Sequence, residues 1–240
     1  MDHLWEFFQQ YAKTQPNASR ILEAGEEAFP IMGEYVRNLF EHDPGTGHHS
    51  LKVGIKTPVV AIETGFTEAS LVDLIIAGTL HDYGKLKVDG GLLRSPVRYS
   101  QNSPELQEIR KHPEYARQLL NGSLPPIVKP VACGHHDQFG EEFQKYPRKD
   151  SCRIDLSETD KRTKDAAILR SVKLVAVVEM YSAIVDPTRP YRPAEFGPRR
   201  LVSVFYKEVA GDMECMKYFF ALQELPKFSD APILKNGLAH

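Results

Sequence analysis

Between Leu71 and Leu80 the apolar positions leave almost no polar face. Leu71, Leu74, Ile75, Ala77, Gly78 and Leu80 describe a helix buried on most sides that runs into His81-Asp82. Ala166 to Val185 repeats the pattern through Ile168, Leu169, Val172, Leu174, Val175, Val177, Val178, Met180, Tyr181 and Ile184, with one carboxylate, Glu179, interrupting it. A third segment, His112 to Leu120, has Pro113 in its first turn and Asn121-Gly122 just past its end, which bounds a short helix. Two amphipathic stretches, Leu4 to Tyr11 and Ile21 to Phe40, and a C-terminal helix from about Pro198 to Gln223 are expected to pack around this central bundle.

Polar stretches separate these elements. Gln138 to Thr163 reads as a loop or lid, and Asp186 to Arg200, with Pro187, Pro190, Pro193 and Pro198, cannot continue the helix before it and reads as a rigid loop. No alternating strand pattern, internal repeat or heptad run is present, so the expected class is all-α.

Composition narrows the function classes. With 240 residues, 42% of them hydrophobic and 26% charged, the chain is an ordinary globular one. A formal charge of −2 supplies no basic field for duplex nucleic acid or for an anionic membrane. Three cysteines without a CxxC fit a reducing compartment, and no secretory signal or membrane-length apolar run is read, so the expected location is the cytoplasm.

The chemistry lies in His49, His81, Asp82, Lys85, His112, His135 and His136. Imidazole and carboxylate donors suit Mn, Fe, Co, Ni or Zn, and five histidines around an aspartate able to bridge are enough ligands for two ions, which points first to phosphate esters. If the helix continues past His81, Lys85 falls on the same face four residues later, within reach of a phosphate oxygen. Glu179 in its apolar helix needs a cation, either a metal ion or a lysine. Cys133 reads as a buried thiol outside the site.

The ordered segments His49-Ser50-Leu51-Lys52-Val53, Leu80-His81-Asp82-Tyr83-Gly84-Lys85, His112-Pro113-Glu114, His135-His136-Asp137 and Arg189-Pro190-Tyr191-Arg192 resemble the HD-domain phosphohydrolases, and within them the HD-GYP group of cyclic dinucleotide phosphodiesterases. The resemblance implies an HD-domain helical bundle with flanking helices: an N-terminal extension over 1–44, a catalytic core over 45–192, and a C-terminal helix and tail over 193–240, all in one domain. It implies that His49, His81, Asp82 and Glu179 hold one divalent ion, that Asp82 bridges to a second held by His112, His135 and His136, and that a metal-activated water attacks a nucleotide or cyclic dinucleotide phosphoester. Asp82 and Lys85 are the implied catalytic residues, and Lys85, Arg189, Arg192 and Tyr146 the implied substrate contacts.

The chain departs from the family pattern at Glu179, where an aspartate is usual, at Gly45, where three-metal members carry glutamate, and at Lys145-Tyr146-Pro147, which stands two positions late for the Gly-Tyr-Pro signature. His48 is the neighbour competing with His49, as a group that orients a ligand. Two other functions stay open: a di-iron oxygenase on the same scaffold, and a signalling module that binds a cyclic dinucleotide without cleaving it.

Overall fold

The computed structural model describes residues 2–67, 69–97, 99–100, 102–136, 166–185, 201–203, 205–206, 209 and 212–225. Helix α1 (Asp2–Lys13) and the long α2 (Ala18–His42) cover the amphipathic N-terminal stretches. At the end of α2, Asp43 caps α3 (Pro44–Thr64): its Oδ2 accepts from the Thr46 amide at 2.8 Å and from Thr46 Oγ1 at 2.7 Å, with Pro44 in the first turn. Gly65, at φ 66°, closes α3 in a left-handed conformation that a side chain would strain.

Helix α3 is the centre of the bundle, with Leu51, Val53, Ile55, Val59 and Val60 all fully buried. It packs on α2, on α4 (Leu71–Leu80) and on α9 (Ala166–Val185). Ser70 caps α4 by accepting from the Asp73 amide at 3.0 Å. The α3–α4 crossing is a backbone contact: a Cβ built on Gly54 would stand 2.0 Å from Thr79 Oγ1 and 3.0 Å from the Ile75 carbonyl oxygen, and one on Gly78 3.0 Å from Gly54 Cα.

After α4 the chain departs from expectation. The α-helix ends at Leu80, and Tyr83–Lys87 is a 3-10 helix, so Lys85 does not continue an α-helical face from His81. Short helices α5 (Gly90–Arg94) and α6 (Pro104–Ile109) lead to α7 (His112–Leu119) and α8 (Val128–Gly134). Helix α7 starts and stops where its proline and Asn121-Gly122 predict.

The C-terminal helix is interrupted. Residues 201–203 and 205–206 are helical, Val209 lies in a turn, and a new helix, α10 (Met213–Glu224), starts at the Asp212 cap, whose Oδ1 accepts from the Glu214 and Cys215 amides at 3.0 Å each. Helix α10 is tied to α9 by Lys173 on Asp212 at 2.7 Å and by Arg170 on Glu214. No described helix is long and apolar enough to cross a membrane, although α9 is nearly all apolar.

Candidate metal centre

Four elements end or pass at one point. His81 is the C-cap of α4 with Asp82 directly after it, His112 opens α7, and His135 is the C-cap of α8 followed by His136. His49 comes from the second turn of α3, its ring centroid 5.3 Å from that of His81. His49, His81, Asp82, His112 and His135 are all buried.

Three of the rings are oriented by nearby backbone carbonyls. Nδ1 of His81 donates to the Gly78 carbonyl at 2.7 Å, Nδ1 of His112 to that of Ile109 at 2.8 Å, and Nδ1 of His135 lies 3.2 Å from the carbonyls of Val131 and Ala132. Carbonyl oxygens only accept, so these rings carry their proton on Nδ1 and present the Nε2 lone pair inward. His81 Nε2 is 3.4 Å from Asp82 Oδ2; His112 Nε2 and His135 Nε2 are 3.3 and 3.9 Å from Asp82 Oδ1 and 3.3 Å from each other. Lone pairs and a carboxylate facing one another in a dry pocket repel unless a cation lies between them, which makes the donor set suited to a metal ion.

Electrostatics favours the metal-ready protonation states. Burial alone would raise the Asp82 carboxyl, but Lys85, His81 and His112 override it and hold the group well below the usual range. Burial pushes His112 down to about 4, against the pull of Asp82. Burial and the neighbouring imidazoles lower His135 and His136 well below the ordinary histidine value. An anionic aspartate among neutral imidazoles is the form a divalent ion requires.

Two groups of donors converge, each with its atoms within 4.8 Å of one another: His49, His81 and Asp82, and Asp82, His112, His135 and His136. Asp82 belongs to both and so can bridge. Glu179 sits at the edge of this set, with Oε1 4.0 Å from His49 Nε2. Lys85 reaches the site from the 3-10 helix and binds Asp82 Oδ2 at 2.5 Å. The His48 ring lies edge-on to Phe7 and Phe40, with its Nδ1 2.9 Å from the Pro44 carbonyl. Tyr146, Arg189, Arg192 and the loop 138–163 lie outside the described residues.

The sequence matches the HD domain family over residues 46–183, more than half of the chain. The chain belongs to the HD domain family. Three curated relatives share the region. The cyclic di-GMP phosphodiesterase response regulator RpfG of Xanthomonas campestris is 23% identical over 175 residues, 72% of this chain and 42% of that protein. A cyclic di-GMP phosphodiesterase of Thermotoga maritima is 28% identical over 191 residues, 78% of this chain and 43% of that one. The 3'3'-cGAMP-specific phosphodiesterase 3 of Vibrio cholerae is 26% identical over 152 residues, 63% of this chain and 29% of that one. This HD domain chain therefore spans less than half the length of each of these relatives.

Some supports of the site were not read from the sequence. Tyr83 anchors the 3-10 helix to α2, accepting from Asn38 Nδ2 at 3.3 Å and packing edge-on against Tyr35. Lys52 and Lys56 are buried three and seven residues after His49. That spacing, i, i+3 and i+7, was the signal that could have placed them on the face of α3 that carries His49.

Proposed function

We propose that this protein is a metal-dependent phosphodiesterase that hydrolyses a nucleotide or cyclic dinucleotide phosphoester. The observation that carries the reading is the set of imidazoles whose Nδ1 protons are committed to backbone carbonyls while their Nε2 atoms face Asp82. The three relatives, all phosphodiesterases of cyclic dinucleotides by name, support the substrate class. In this reading residues 45–192 form the catalytic core, and 1–44 and 193–240 pack around it.

Two divalent ions would be held, one by His49, His81 and Asp82 with Glu179 at its edge, the other by Asp82, His112, His135 and His136. When bound, such a pair supplies an activated water and a clamp for the charge that develops at phosphorus. The residues of the chain do the rest. Asp82 holds the two sites in register, and burial keeps the imidazoles of His112, His135 and His136 neutral. Lys85, now on Asp82 Oδ2, is assigned to the substrate phosphate, where its ammonium would neutralise developing charge. Arg189, Arg192 and Tyr146 are assigned to the remainder of the substrate.

The test is hydrolysis by protein loaded with Mn, Fe, Co, Ni or Zn, assayed against phosphomonoesters, linear dinucleotides and cyclic dinucleotides. The reading expects metal-dependent cleavage with a cyclic dinucleotide or nucleotide preferred. Stoichiometric binding of a cyclic dinucleotide without turnover, or oxygen consumption by the iron form without ester cleavage, would overturn it.

A further inference from the structure

The 3-10 helix that carries Lys85 packs on α7 through Lys87, which donates to Gln118 Oε1 at 2.6 Å and lies over the Tyr115 ring, and at Gly84 through a contact of backbone on backbone. A Cβ built on Gly84 would lie 1.7 Å from the His112 carbonyl oxygen, 2.7 Å from the His112 carbonyl carbon and 2.6 Å from the Ala116 amide nitrogen. All three are backbone atoms of the first turn of α7, so none can swing aside. Among the described glycines only Gly65 and Gly122 have a positive φ, so Gly84 is required for space and not for backbone conformation.

We infer that Gly84 is a positioning residue: its bare Cα lets the 3-10 helix rest directly on the His112 peptide, and this contact sets the separation of Asp82 and His112 across which the second ion is held. The inference rests on the metal-site reading above. Asp82 precedes Gly84 by two residues, and His112 supplies both the peptide that Gly84 touches and the Nε2 that faces Asp82 Oδ1 at 3.3 Å. The His112 ring cannot compensate by rotating, because its Nδ1 is bonded to the Ile109 carbonyl at 2.8 Å. Any retreat of α7 is therefore transmitted to the donor atom.

The two donor groups differ in this dependence. His81 and Asp82 follow α4, which is set by the α3–α4 crossing at Gly54 and Gly78, and His49 lies on α3 itself. Helix α7 is eight residues long and is the more easily displaced partner. A methyl group at position 84 would move α7 by roughly an ångström or more and open the group of Asp82, His112, His135 and His136, while leaving the group of His49, His81 and Asp82 intact.

The experiment is metal counting by mass spectrometry and cobalt absorption titration on wild type and Gly84→Ala, with helix content checked by circular dichroism. The variant is expected to bind one ion with wild-type affinity and the second roughly 10- to 100-fold more weakly. Two ions at wild-type affinity, or equal loss of both as a generally loosened fold would give, overturns the inference. If Gly84→Ala is insoluble, Ala116→Val, which crowds α7 from its fully buried side, takes its place with the same expected and overturning results. A wild-type protein that binds no ion pair would instead sink the functional reading.

Discussion

Lys85 and Asp82 illustrate how one pair serves two purposes. The ammonium at 2.5 Å offsets the upward push of burial on the Asp82 carboxyl, and in the proposed function the same ammonium contacts the substrate phosphate. Lys85→Ala is expected to keep both ions, since it removes a competing cation, and to lose turnover by roughly 100-fold; loss of metal together with rate would show that Lys85 builds the site instead. The histidines predict the behaviour of the metal-free protein. Unfolded, His112 takes up a proton near 6.5, whereas folded it does so only near 4, and His135 and His136 shift in the same direction. Protons then favour the unfolded chain, so stability is complete above about 6.5 and is lost as pH falls from there toward 4. Urea unfolding at pH 7 and pH 5 is expected to differ by about 2 kcal/mol for His112 alone, and equal stability at the two pH values would contradict the buried neutral imidazoles.

At the scale of elements, the glycine crossing of α3 and α4 is what turns two separate helices into one half of the site. Gly54→Val would place atoms against Thr79 Oγ1 and the Ile75 carbonyl, and is expected to destabilise the fold by about 1–3 kcal/mol and to weaken the ion assigned to His49 and His81; an unchanged denaturation midpoint would argue that the crossing has slack. Helices α4, α7 and α9 were legible from the sequence because an apolar surface on nearly every side, or a proline and an Asn-Gly pair at the ends, leaves no other reading. The 3-10 helix was not, because a lysine four residues after His81 suits a continued α-helix as well as it suits a tighter turn reaching Asp82. The interruption before α10 was hidden for a similar reason: apolar residues continue across it, and only the Asp212 cap marks the new start. The five histidines, Asp82 and Lys85 were found as residue types at family spacing, but the carbonyl bonds that fix the tautomers, and the contact at Gly84, exist only between elements.

For the whole molecule, the two donor groups that could hold a metal both lie inside the region that matches the HD domain family. Donors separated by almost ninety positions are gathered on Asp82 by the ends of α4, α7 and α8 against the second turn of α3. The relatives extend well beyond the matched region, so the specificity of those longer proteins belongs to them. The most direct test of the account is a crystal structure of the manganese-loaded protein with anomalous scattering recorded at the metal edge. The account predicts two peaks roughly 3.5–4 Å apart, bridged by Asp82, one beside His49 and His81 and the other among His112, His135 and His136. No peak at these donors, with Lys85 still closed on Asp82 at saturating metal, would contradict it.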